Sequence, residues 1–279
     1  MNKIASKIGE WILFVFTLAL SILFLMPILV VLMNSFKGKF YISAAPFKLP
    51  TVGTFSGITN YITGLTRTGF LSAFGYSVFI TVFSVSVIVL LTAMTAWYIT
   101  RIDDKFSKGL YYLFAFSMIV PFQMVMFTLT KVANTLKLDN PIGIILVYLG
   151  FGAGLSAFMF CGFVKSVPIE VEEAALIDGG TPVQTFFQVV LPMLKPIMIT
   201  VAILNTMWIW NDYLLPYLLI GNDYKTIPIA IQYLKGGYGS IDMGAMMAML
   251  VLAIIPIIIF YLCCQKYIIK GVAAGAVKG

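Results

Sequence analysis

Between residues 165 and 195 the chain gathers acidic, small and turn-forming residues at spacings that suit docking rather than bond making. Pro168 fits the first turn of a short helix, and Glu170, Glu172 and Glu173 place negative charge near its positive N-terminal end. Val171, Ala174, Ala175 and Asp178 fall at i, i+3, i+4 and i+7, hence on one helical face. Small residues there admit the close approach of another protein's surface. Gly179-Gly180 supplies the left-handed residue that ends such a helix. Thr181, Pro182 and Gln184 then spell a capping box for a second helix, which Leu191-Pro192 and Pro196 are expected to close. A second polar cluster, Asn205, Trp208, Trp210, Asn211 and Asp212, sits in an otherwise apolar run, and Gln123 and Tyr148 lie in two others.

The residue inventory argues against covalent chemistry. Histidine is absent, which removes the commonest metal ligand and general base. Cys161, Cys263 and Cys264 have neither zinc spacing nor a disulfide framework. No paired carboxylates or nucleophile–base pair stands out, and no phosphate-binding GxxxxGK[ST] string occurs. The chain is expected to hold no metal and no cofactor, and not to be an enzyme.

These groups must be positioned by membrane helices. The 279 residues are 61% hydrophobic and 10% charged. A soluble domain carries roughly 25% charged residues. Apolar runs long enough to cross a bilayer predict six helical spans at about 11–34, 72–99, 109–131, 141–163, 197–221 and 243–265. The expected fold is all-α, a single polytopic domain over 1–279. The first run is too long for a signal peptide and reads as a retained helix. The 18 Lys and Arg are spread between the apolar runs, where they read as topology signals rather than a nucleic-acid surface. They lean slightly toward both termini, and so the 165–195 loop, lying on the cytoplasmic side.

Glu173-Ala174-Ala175, three residues, Gly179, nine residues, Val189, one residue and Leu191-Pro192 together resemble the EAA loop of ABC importer permeases. Val189 stands where isoleucine is usual. The string from Pro168 to Gly180 resembles the carbohydrate-uptake version, Trp210-Asn211-Asp212-Tyr213 resembles an element of that family's fifth span, and the ending from Gln265 to Gly279 is similar to the tail of the maltose-type second permease. The resemblance implies a type I importer permease fold. It also implies a coupling helix in which Glu173 is the charged contact, Ala174 and Ala175 the close-packed face and Gly179 the turn, with Asp178, Leu191 and Pro192 also counted among the ATPase-coupling residues. Further implied are a related second permease subunit, two cytoplasmic ATPase subunits that bind ATP and Mg, an extracytoplasmic solute-binding protein, a sugar or oligosaccharide substrate, and a place in the cell membrane.

Several roles stay open on the residues alone. Asp212 with Asn211 suits a pathway carboxylate or a helix-end bond near the interface. Trp208 and Trp210 suit stacking on sugar rings or an aromatic belt. The resemblance implies that the tail holding Gly271, Gly275 and Lys278 reaches along the ATPase dimer interface, while the residues themselves also suit a frayed end. A permease for an amino acid, polyamine or phosphate is the nearer rival, and an ion-coupled secondary transporter the remoter one, since the chain has no histidine and no visible repeat.

Overall fold

The computed structural model describes residues 2–221, 223–235 and 242–276. Among them the backbone is helical apart from turns and an isolated antiparallel bridge between Lys37 and Phe55. The chain forms two compact units, the first of residues 1–71 and 230–256, the second of residues 72–229 and 257–279.

In the first unit, α1 (Asn2–Ser35) carries an apolar stretch of which none is buried within the chain. Its C-terminal end is satisfied by Asn60, whose Nδ2 donates to the carbonyls of Ser35 at 2.7 Å and Lys37 at 2.8 Å. Asn60 lies on α3 (Thr59–Thr68), which follows the short α2 (Lys39–Ala44). Helix α3 also packs closely on the start of α14 (Met243–Ala276): a Cβ on Gly64 would stand 2.6 Å from Met249. At its end Arg67 pairs with Asp242 at 3.2 Å.

The second unit is organised around α7 (Gly143–Val164), which is buried along most of its length. Small residues let its neighbours approach, as is usual between membrane helices. Gly152 faces Ile88 of α4 (Phe70–Arg101) and Asn205 of α11 (Lys195–Asn211), while Gly154 faces the carbonyl of Phe114 on α5 (Lys105–Ser117). Asp104 caps α5 by accepting from the Ser107 N–H at 2.7 Å, and that bond holds its carboxyl below the usual range.

Four of the expected spans lie on single helices, α1, α4, α7 and α14, each long and apolar enough to cross a membrane. The expected span 109–131 is instead two helices, α5 and α6 (Phe122–Thr135), bent by 109°. Pro121 is the cause: it offers no N–H to the turn before it and sits extended (φ −67°, ψ 138°) as the N-cap of α6. The expected span 197–221 is also broken. Helix α11 stops at Asn211, Asp212 is extended (ψ 124°), and α12 (Leu214–Leu219) begins anew, followed by the short α13 (Ile227–Gln232). Pro216 has no N–H for the carbonyl of Asp212, which favours a break there. Six crossings result if α5 with α6, and Pro182–Met193 with α11, each count as one span.

Candidate functional site

The 165–195 loop folds as two capped helices. In α8 (Ile169–Ile177) Pro168 is the N-cap rather than a first-turn residue. The end of α8 is closed by crossed bonds, Gly180 N–H to Ala175 O at 3.0 Å and Gly179 N–H to Leu176 O at 3.1 Å, with Gly179 at φ +87°. This is the pattern a left-handed glycine permits. A Cβ on Gly180 would stand 2.7 Å from the Ala175 carbonyl, so both glycines are required. Thr181 and Gln184 form the expected capping box: the Thr181 N–H donates to Gln184 Oε1 at 2.8 Å and the Gln184 N–H to Thr181 Oγ1 at 3.3 Å.

From that box runs α9 (Pro182–Thr185), then a wider π-helical turn (Phe186–Val190), then α10 (Leu191–Met193). Leu191 and Pro192 therefore continue the helix, and the chain bends by 77° into α11. Pro196 does not close the second helix; it sits in the first turn of α11, where its missing N–H costs little.

The acidic run divides between two environments. Glu173 and Ala174 are exposed, Ala175 is half-buried, and Asp178 and Gly179 are exposed, so the expected docking face is open. Glu172 is buried, at 5% exposure. Its carboxylate accepts from Arg101 Nη2 at 2.7 Å, from Arg101 Nε at 3.1 Å and from Trp97 Nε1 at 2.9 Å. Glu172 is thus more than a charge beside a helix terminus, and Arg101 more than a topology signal. A Trp-x-x-x-Arg pair at the end of an apolar run was the available clue; only the fold supplies the carboxylate.

The second cluster separates. Tyr148, Trp208 and Asp212 come together: the Tyr148 hydroxyl donates to Asp212 Oδ2 at 3.0 Å, and the Tyr148 and Trp208 rings meet edge-on at 5.4 Å. Asp212 Oδ1 accepts the N–H of Leu214 at 3.0 Å, so it starts α12 as well as holding Tyr148. Trp210 packs elsewhere, against Phe74 at 6.0 Å. Asn205 is buried, donating to Ser156 Oγ at 3.1 Å and to the Val201 carbonyl at 2.9 Å. Asn211 is exposed, its amide turned back to the Met207 carbonyl at 2.7 Å. Gln123 is exposed in the first turn of α6. Gly271 and Gly275 lie within α14, not in an extended tail, as the alanines around them favour helix; Lys278 lies outside the described residues.

The geometry of Asp212 makes a separable prediction. Asp212→Asn keeps Oδ1 as acceptor for the Leu214 N–H and offers an amide N–H to the Tyr148 hydroxyl oxygen, and is expected to melt within about 2 °C of the parent in detergent. Asp212→Ala removes the acceptor of the Leu214 N–H, worth about 1 kcal/mol, and leaves the buried Tyr148 hydroxyl unpaired, a further 1–3 kcal/mol or so. It should melt clearly lower; equal melting of both variants would remove the structural role.

Residues 88–274 match the family described as the binding-protein-dependent transport system inner membrane component. The probable starch degradation products transport system permease AmyC of Thermoanaerobacterium thermosulfurigenes is 36% identical over 279 residues, covering all of both chains. The multiple sugar-binding transport system permease MsmG of Streptococcus mutans is 37% identical, over 92% of this chain and 93% of its own. The chain belongs to this family. Its fold matches a chain in the crystal structure of a bacterial ABC transporter that imports the acidic polysaccharide alginate, with TM-score 0.76 over 94% of this chain and 97% of that one, at 23% identity. The chain is therefore a multi-pass membrane component of a transport system that works with a solute-binding protein.

Proposed function

We propose that this chain is one permease subunit of an ATP-driven importer for a sugar or oligosaccharide, pairing with a related permease to enclose the pathway. The observation that carries the reading is α8. It is a short helix locked at its end, with Glu173 and Ala174 exposed beside a half-buried Ala175 and no ATP-binding string anywhere in the sequence. Such a face fits the groove of a separate ATPase on the cytoplasmic side, where both termini would also lie. When two ATPases close on nucleotide, α8 is displaced, and the bent connection into α11 carries that displacement into the membrane.

On α11 the residues Leu204, Met207, Trp208 and Asn211 are exposed at i, i+3, i+4 and i+7. That stripe mixes an aromatic plane and an amide, which suits a sugar's apolar ring face and hydroxyls. The unburied apolar stretch of α1 is available to lipid or to the partner permease. Carbohydrate is the substrate class because the names of several relatives specify sugars, among them the diacetylchitobiose uptake permease of Streptomyces coelicolor, 32% identical over 92% of this chain.

The test is reconstitution of the chain with its partner permease, ATPase and binding protein in liposomes, using radiolabelled maltotriose as the probe. Uptake should require internal ATP and persist when a protonophore collapses the ion gradient. Uptake abolished by the protonophore with ATP still high would overturn the reading in favour of an ion-coupled carrier.

A further inference from the structure

Two residues one turn apart on the long helix α4 hold the helices of the 165–195 loop. Trp97 touches both helices of the loop: its Nε1–H donates to Glu172 on α8 at 2.9 Å, and its ring lies 5.5 Å from that of Phe186 in the π-helical turn. Arg101 grips the carboxylate through Nε and Nη2 and also donates to the Val167 carbonyl at 2.9 Å, just ahead of α8. A guanidinium that binds a carboxylate through two nitrogens fixes its direction as well as its distance. The Arg101 side chain is 18% exposed and that of Glu172 7%, so water competes little for the pair.

Glu172 and Glu173 are neighbours, yet one is spent inward on α4 while the other is presented outward. Helix α4 is in turn locked to the central helix α7: Ile88 sits over Gly152, and Cys161 Sγ lies 3.8 Å from the Ala96 carbonyl, within one turn of Trp97. We infer that Trp97, Arg101 and Glu172 form a clamp that makes α8 and α4 move as one body, so that a displacement of α8 enters the membrane through α4 as well as through the chain connection into α11. These are positioning residues: they leave the docking face untouched and act through the helix that carries it. The inference rests on the coupling role proposed for α8.

The experiment uses the complete reconstituted importer, with maltotriose uptake and ATP hydrolysis measured on the same liposomes. Arg101→Gln is expected to keep the ATPase subunits bound and hydrolysing within about twofold of the parent, while uptake per ATP falls by about tenfold. Arg101→Lys keeps the charge without the fork and should recover only part of that loss. Trp97→Phe keeps the ring against Phe186 but loses the donor; it should lower uptake per ATP by about two- to fivefold without affecting assembly. The exchanged pair Arg101→Glu with Glu172→Arg should restore some coupling relative to either single change.

If Arg101→Gln does not assemble, Trp97→Phe alone decides. Unchanged uptake per ATP in the assembled variants overturns the clamp, as does a loss of assembly in all of them, which is what a static anchor would give. Failure of the unmodified chain to hold an ATPase at all would instead sink the coupling role itself.

Discussion

Replacing Glu173 with lysine is expected to leave the chain folded in the membrane and to stop ATP-driven uptake. The side chain is exposed and turned about 100° round α8 from Glu172, so reversing its charge disturbs little inside the chain. Glu173 lies just beyond the first turn of α8, so the loss of its interaction with the helix N-terminus costs at most about 1 kcal/mol. An ATPase groove built for a carboxylate would lose the pair and meet a like charge, which costs an interface far more. Gly179→Val should reach the same end by another route. At φ +87° a β-branched residue is strained, by roughly 1–2 kcal/mol or more, and relief of that strain undoes the crossed bonds that end α8. The helix would then present its face at the wrong angle. Membrane content by immunoblot and uptake of labelled maltotriose, measured on both variants, separate insertion from coupling. Full-rate uptake in either would contradict the assigned face.

How α8 ends was legible in its sequence, because capping is local: Gly179-Gly180 and Thr181-Pro182-Val183-Gln184 satisfy backbone groups within a few residues. Which side of α8 faces inward was not legible. Its residues run Ile-Glu-Val-Glu-Glu-Ala-Ala-Leu-Ile, with acid and apolar positions interleaved, so no apolar stripe marks a buried side. The choice is made by Arg101, 71 residues earlier. Tyr148 and Asp212 are a similar case, joined across 64 residues. Apolar runs located the long helices well, since a membrane demands length before anything else. The same runs concealed the breaks at Pro121 and Asp212, because hydropathy is blind to a missing N–H or an extended residue inside an apolar segment. Prolines at 121 and 216 carried that signal and should weigh more than the absence of charge.

The packing of α7 makes the second strong prediction, and it needs no partner protein. Gly150, Gly152 and Gly154 are two residues apart on one helix, yet their surroundings differ. A Cβ on Gly150 meets nothing within 4 Å. A Cβ on Gly152 would stand 2.7 Å from Ile88 Cδ1 and 2.9 Å from Asn205 Oδ1, and one on Gly154 would stand 2.9 Å from the Phe114 carbonyl and 2.9 Å from Met118 Cγ, beside the Ser117 hydroxyl as well. Ile88 can shift the end of a flexible side chain; the carbonyl of Phe114 moves only with α5. Gly154→Leu must therefore push α5 away from α7, and overpacking of this kind costs about 1–3 kcal/mol or more. Gly152→Leu should cost somewhat less, with part of the loss coming from the Asn205–Ser156 bond it disturbs. Gly150→Leu should cost almost nothing. In the isolated chain in detergent the expected order of melting temperature is Gly150→Leu near the parent, then Gly152→Leu, then Gly154→Leu lower by about 5 °C or more. Gly154→Leu melting with the parent would mean that α5 does not lie against α7 as described, and the small residues of α7 would then need another explanation.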